Sequence, residues 1–312
     1  MPQEKEYVVY IGGPCIDEYF EINRWPKEGD KYVGRFQGGI PGGMIANAAC
    51  VMAGYGIETY CFIGLYRDNY LDFLLQDLEA NHVKTSQILI EEEGTNGKCL
   101  IFQNVADRTI CVVPANPPWH IKLSEEQLNF LRGAKYLYTT LANLNDFENP
   151  VGLFKDLKEH GVKIVLDNEA STIVDHWEDL MQYCYLSFMN EYAVQLYGNG
   201  LSEEELVKKL QDLGVEIVAE TLGDKGCKII TKEEIVEVPA YHVNIVDTTG
   251  AGDTFNSTFT YGIHAGMSIR EAAEFATAAA AMSITKQGGR SGITNVEQVK
   301  KFMEMNQGNR GG

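Results

Sequence analysis

The chain has 312 residues, 45% of them hydrophobic and 22% charged, so it has ample material for a core and no case for disorder. Lys and Arg total 26 against 44 Asp and Glu, a net charge of −18, which argues against nucleic acid or an anionic membrane as partner. Seven scattered cysteines without a CxxC pair offer neither zinc spacing nor a disulfide framework, as expected in a reducing cytosol.

The opening MPQEKEYVVYIGG has no signal-peptide core, and no apolar run of about 18 residues follows, so a cytoplasmic protein is expected. Residues 7–13 read as a first strand. Residues 17–37 then read as two alternating strands around a Pro26-Lys-Glu-Gly-Asp30 turn. Helical patterns cover 43–54 and 70–80, with a strand at 59–64 between them. A second hairpin covers 97–114, turning at Ala106-Asp107-Arg108. Beyond it, helices at 124–132, 149–160 and 202–213 alternate with strands at 135–140, 163–168, 183–190 and 216–222, and a hairpin covers 227–238. Capping boxes open two of the helices, Ser124 with Gln127 and Ser202 with Glu205. Buried strands spaced by helices predict an α/β fold over residues 1–312, taken as a single domain, with a mostly parallel sheet covered on both faces. The hairpins near 17–37 and 97–114 break that rhythm and would form a small antiparallel sheet, either covering a site or lying idle on the surface. The terminal GNRGG reads as a flexible tail.

The stretch Asp247-Thr-Thr-Gly-Ala-Gly-Asp253 carries the most chemistry. Behind it Phe255, Phe259 and Ile263 recur every four residues, which predicts a one-sided helix starting around Gly250, Ala251 and Gly252. First-turn amides have no internal acceptor and lie at the positive end of the helix dipole, and small residues leave them open to a phosphate. Asp253 falls in that turn, where the dipole is expected to keep it ionised and able to accept a proton from a hydroxyl aimed at the phosphate. The plainer alternative is a tight turn whose aspartate only complements the dipole. A Walker loop and a complete GxGxxG fingerprint are both missing, and the histidines and serines form no zinc or hydrolase pattern.

In these residues the chain resembles the ribokinase-like (PfkB) carbohydrate kinases. Residues 247–253 are similar to that family's C-terminal signature, and Gly42-Gly43-Met-Ile-Ala-Asn47 to its N-terminal GG-x-x-x-N pattern. Thr221-Leu-Gly223-Asp-Lys-Gly226 is similar to its nucleotide-side TLGxxG, and residues 278–288 to the Ala-rich helix and turn closing its adenine pocket. The resemblance implies a β lid, which the two odd hairpins would supply. It implies Asp253 as catalytic base, with the amides of Gly250, Ala251 and Gly252 as anion hole. It places Asp17, Gly42, Gly43 and Asn47 on the sugar, and Asn190, Thr221, Gly223, Gly226 and Thr277 on ATP. Mg2+ accompanies the nucleotide, a monovalent cation such as K+ would be held by Asp247 and Thr249, and a homodimer would form through the lid. Gly42 and Gly43 are expected to let the sugar approach the backbone.

Several positions depart from the family pattern. Ala193 stands where a glutamate would help organise Mg2+, and Glu191 lies about 200° away around a helix. The metal would then be held by phosphates and water, unless a distorted helix start lets Glu191 substitute. Thr277 replaces an asparagine, Thr139-Thr140-Leu141 replaces an acidic position, and the loop at Gly64 to Asp68 is degraded, which together argue against ribose. Arg24, Lys31, Arg35 and Arg108 in the lid read as solvated strand faces, so a non-phosphorylated sugar or polyol is favoured over a phospho-sugar. The reading is an ATP-dependent sugar kinase acting on a hydroxymethyl group. Its rivals are a non-catalytic sugar or nucleoside sensor, a nucleoside or phospho-sugar kinase, and, most weakly, a nicotinamide dehydrogenase.

Overall fold

The computed structural model describes residues 6–104 and 108–306. The first half runs β1 (Tyr7–Ile11), β2 (Cys15–Glu21), β3 (Arg35–Gly42), α1 (Met44–Gly54), β4 (Glu58–Phe62), β5 (Gly64–Tyr66), α2 (Leu71–Ala80), β6 (Leu89–Glu91), β7 (Lys98–Gln103), β8 (Arg108–Val113), α3 (Glu125–Gly133) and β9 (Tyr136–Thr139). The second half runs α4 (Pro150–Glu159), β10 (Lys163–Asn168), α5 (Glu178–Met181), β11 (Cys184–Asn190), α6 (Glu191–Gly198), α7 (Glu203–Leu213), β12 (Ile217–Thr221), β13 (Cys227–Ile230), β14 (Ile235–Val238), α8 (Ala251–His264), α9 (Ile269–Ser283) and α10 (Val296–Met305). The expected main strands and helices recur within about two residues at each end. Both capping boxes form, Ser124 with Gln127 and Ser202 with Glu205.

Eight strands make the main sheet in the order β14-β13-β12-β11-β10-β9-β1-β4, parallel from β12 to β4 and antiparallel at β13 and β14. Side chains alternate along β1: Val8 and Tyr10 pack toward α1, α8 and α9, while Val9 and Ile11 pack toward α3, α4 and α7. This alternation requires helices on both faces, since either bare face would leave apolar side chains in water. Phe259 of α8 is fully buried against Phe188 and Phe255. Truncating such a ring typically costs about 3–5 kcal/mol, so this packing fixes where the N-terminus of α8 lies. Strand order reverses between β1 and β9, and the crevice at the carboxyl ends of these strands is where open α/β sheets bind ligands.

A second sheet, β3-β2-β7-β8, grows from that edge, because β2 starts four residues after β1 ends. Here the expectation is corrected in part. Residues 17–37 are not a tight hairpin, since β2 and β3 pair antiparallel across a loop spanning 22–34. That loop is closed by the Tyr32 hydroxyl, which accepts the amides of Asn23 (2.6 Å) and Arg24 (3.2 Å), a contact that alternation does not signal. The parallel pairing of β2 with β7 joins the two halves of this second sheet. Ala106 and Asp107 of the second turn, and the GNRGG tail, lie outside the described residues. Among the described residues no helix is long and apolar enough to cross a membrane.

Candidate active site

Helix α8 begins at Ala251, with Gly250 as its N-cap at φ 77°. That left-handed turn requires glycine, and a Cβ there would also sit 2.7 Å from Gly289 Cα. A Cβ on Gly252 would meet nothing within 4 Å, so no packed side chain stands against this residue of the first turn. Asp253 follows in the same turn, 9% exposed, and its Oδ2 accepts from Asn47 Nδ2 at 2.8 Å. The dipole argument for its ionisation is corrected: burial, then the charge of Asp167, push its carboxyl well above the ordinary carboxylate range. Asp167, next to last in β10, is itself raised by burial while accepting from the Tyr138 hydroxyl at 2.7 Å. Glu169, lifted to about 6 by burial and then Asp167, adds to the same acidic wall.

Asp17, in strand β2 of the second sheet, sits above the start of α1. A side chain at Gly42 would collide with its carboxylate, and one at Gly43 would meet Gly13 O at 2.6 Å. The two glycines therefore admit Asp17 and the β1–β2 turn.

Arg290 completes this corner, and sequence reasoning missed it. Its side chain is 9% exposed, with Nε donating to Asn47 Oδ1 at 3.1 Å and Nη2 to Gly42 O at 2.7 Å. Its Nη1 pairs with Asp77 of α2. The Asn47 amide is thus oriented from both ends, oxygen toward Arg290 and nitrogen toward Asp253.

For Arg108 the expectation is corrected in part, since it is exposed on its strand but its side chain is engaged. It reaches from β8 to donate to Thr249 Oγ1 at 2.6 Å and lies 3.5 Å from Asp247 Oδ1. Arg35 is exposed on β3 and pairs with Glu21, while Arg24 lies in the loop after β2 rather than on a strand and pairs at the surface with Asp30. Asp247 Oδ1 accepts the Thr249 amide (2.9 Å) and hydroxyl (2.7 Å), and Oδ2 the Gly288 amide (2.8 Å). Burial works against ionisation here, but these donors hold the carboxyl below its ordinary range. Both oxygens of Asp247 are thus engaged within the protein, with the Arg108 guanidinium alongside Oδ1.

On the opposite side of the cleft, Asn190 caps α6, its Oδ1 accepting the Ala193 amide at 2.7 Å. Glu191 pairs with Lys225 of the loop after β12 at 2.8 Å, and Ala193, where the family carries a glutamate, is fully buried. Thr221 ends β12, and Gly223 and Gly226 flank the tight turn leading into β13. Thr277 is buried and donates to Ala273 O of its own helix at 2.8 Å, with Cys227 Sγ 3.6 Å from the same hydroxyl.

Comparison with known proteins supplies the family. The chain is 28% identical over 312 residues to a ribokinase of Lactococcus lactis, covering 96% of this chain and 98% of that protein. It is 26% identical over 323 residues to the 5-dehydro-2-deoxygluconokinase of Bacillus subtilis, covering 97% of each. The structure of Arabidopsis thaliana ribokinase complexed with ribose and ATP superposes with a TM-score of 0.83 at 25% identity, covering 96% of this chain and 99% of that one. The model of the pfkB family carbohydrate kinases matches residues 8–295. The chain therefore belongs to the pfkB family of carbohydrate kinases, ATP-dependent phosphotransferases with an alcohol group as acceptor.

Proposed function

We propose that this kinase transfers the γ-phosphoryl of ATP to a hydroxymethyl group of a non-phosphorylated sugar, with Asp253 as general base. The observation that carries the reading is the Asp253 carboxylate in the first turn of α8, beside the open face of Gly252 and bonded to Asn47. A hydroxyl held between Asp253 and the first-turn amides would lose its proton to the carboxylate while those amides meet the charge of the transferring group. Removing an anion-hole donor of this kind costs about 2.7–4 kcal/mol of barrier. Asp17 supplies an acceptor for sugar hydroxyls from the lid side. A neutral sugar is supported by the pairing of Arg290 with Asp77 and of Arg108 with Asp247, since each guanidinium already faces a carboxylate.

Mg2+ enters with the nucleotide in this reading, carried by phosphate oxygens and water, and neutralises phosphate charge when bound. Among the described residues the one cluster of three metal-capable side chains is Cys15, Asp17 and Cys99, which is not a hard-ion set. A homodimer through the lid is supported by the exposed Phe36, Ile40, Ile110 and Val112 on its strands. The chain works as one catalytic unit in the cytoplasm, a setting supported by its seven free thiols.

ADP release with Mg·ATP across sugars, nucleosides and keto-deoxy acids tests the reading. Turnover with a neutral sugar, lost in Asp253→Asn while sugar and ATP still bind, is the expected result. The sensor reading is favoured by Ala193 and by the raised carboxyl of Asp253. Tight sugar binding without ADP release across the panel decides for it.

A further inference from the structure

Lid strand β2 carries Cys15 and Asp17 two residues apart, hence on one face of the strand. The adjacent parallel strand β7 sets Cys99 in register with Asp17, so its side chain stands on that same face. The three donor atoms lie within 4.8 Å of one another. Cys15 Sγ is 3.9 Å from Cys99 Sγ and 3.5 Å from Asp17 Oδ1. For a tetrahedral ion with metal–sulfur bonds of about 2.3 Å and a metal–oxygen bond of about 2.0 Å, the edges are about 3.8 Å between sulfurs and about 3.5 Å between sulfur and oxygen. The two separations match those edges with no backbone movement.

We propose that Cys15, Cys99 and Asp17 form a binding site for a thiophilic divalent cation of the zinc class, and that the ion closes the sugar site by occupying Asp17. The second half rests on the assignment of Asp17 to the sugar, and the first half does not. Binding replaces two thiol protons with one metal ion, so two protons leave to solvent and no electrons move. Two thiolates and a carboxylate carry three negative charges against the ion's two, and Arg290 and Arg108, though each is paired with another carboxylate, still favour the charged form of Asp17. All three side chains are only half-buried, so the ion can enter without unfolding the lid. The fourth coordination position stays open to water. A hard ion such as Mg2+ does not favour two sulfur ligands, so the nucleotide's metal and this one are separated by chemistry.

Cobalt(II) is the probe, added to chelator-stripped, fully reduced protein without nucleotide or sugar. One equivalent should give a thiolate-to-cobalt charge-transfer band that zinc abolishes. The band should persist in Cys111→Ser and disappear in Cys15→Ser and in Cys99→Ser, with melting temperatures confirming that both variants fold. A missing band, or one unchanged in both variants, overturns the site, as does loss of two thiols to a Cys15–Cys99 disulfide with no metal bound. In the kinase assay, with free zinc fixed by a metal buffer, Cys99→Ser should need at least tenfold more zinc for half-inhibition. Equal sensitivity overturns the closing role. If no acceptor in the panel is phosphorylated by the metal-free enzyme, the kinase reading fails while the cobalt band still decides the site.

Discussion

The two sides of the cleft are built by different means. On the side that the proposal gives to the sugar, the other being given to the nucleotide, four distant segments hold one another by side chains, from Asp77 of α2 through Arg290 and Asn47 of α1 to Asp253 of α8. On the nucleotide side, Asn190 caps a helix, Thr277 bonds its own helix and Glu191 pairs with Lys225. There the side chains bond within their own helix or to a neighbouring loop. Residues in one hydrogen-bonded network couple energetically, whereas residues each engaged locally act independently. Substitutions on the sugar side should therefore interact, and those on the nucleotide side should add.

The severest break is Asp253→Asn, for which steady-state assays should show kcat falling by about 10²–10⁴, the usual worth of a general base. Arg290→Met comes next. It touches no reacting atom in this reading, but it frees the Asn47 amide to rotate and withdraw its proton from Asp253. Asn47 donation is one of the influences holding the Asp253 carboxyl down. The base must be ionised, so activity rises with pH through its pKa, and losing that bond moves the acid limb of kcat/KM to higher pH. We expect kcat to fall roughly tenfold with this shift, and Arg290→Lys to recover part of it. The double variant with Asn47→Ala should depart from additivity by about 0.5–3 kcal/mol. Additive losses with an unmoved pH limb would reduce Arg290 to a packing residue.

These couplings mark the limit of what the sequence shows. Apolar runs and capping residues are local signals, so the main strands, the helices and the start of α8 are legible within a residue or two. Asp167 was legible in principle, as a carboxylate next to last in an apolar strand at the sheet's ligand edge. Arg290 was not, because its partner Asn47 lies 243 positions away and a lone arginine in a Gly-rich segment carries no period. The ionisation of Asp253 misled for the same reason. The helix dipole is visible in the sequence, but the burial and the Asp167 charge that outweigh it arise only when β10 and α8 come together.

A smaller effect comes from the salt-bridged loop before α8. Because Arg108 already lies beside Asp247, turnover should change by less than about twofold when potassium is replaced by sodium or choline at constant ionic strength. A strong potassium requirement would mean that Arg108 swings away during catalysis.

The mildest prediction concerns the nucleotide side as a scaffold. Glu220 precedes Thr221 on β12, is 2% exposed, and is lifted to about 7 by burial and then by the charge of Glu203. Its pKa is thus higher folded than unfolded, so its contribution to stability is complete below the ordinary carboxylate range and fades as pH rises through 7. Glu220→Gln stays neutral throughout. Its melting temperature should match the wild type near pH 5 and exceed it by a few degrees near pH 8. The KM for ATP should not move, because the side chains on this side bond locally, and a neutral isostere leaves them in place. A melting difference that ignores pH would mean that Glu220 is solvated in the folded chain. A changed KM would mean that side chains on this side are coupled after all.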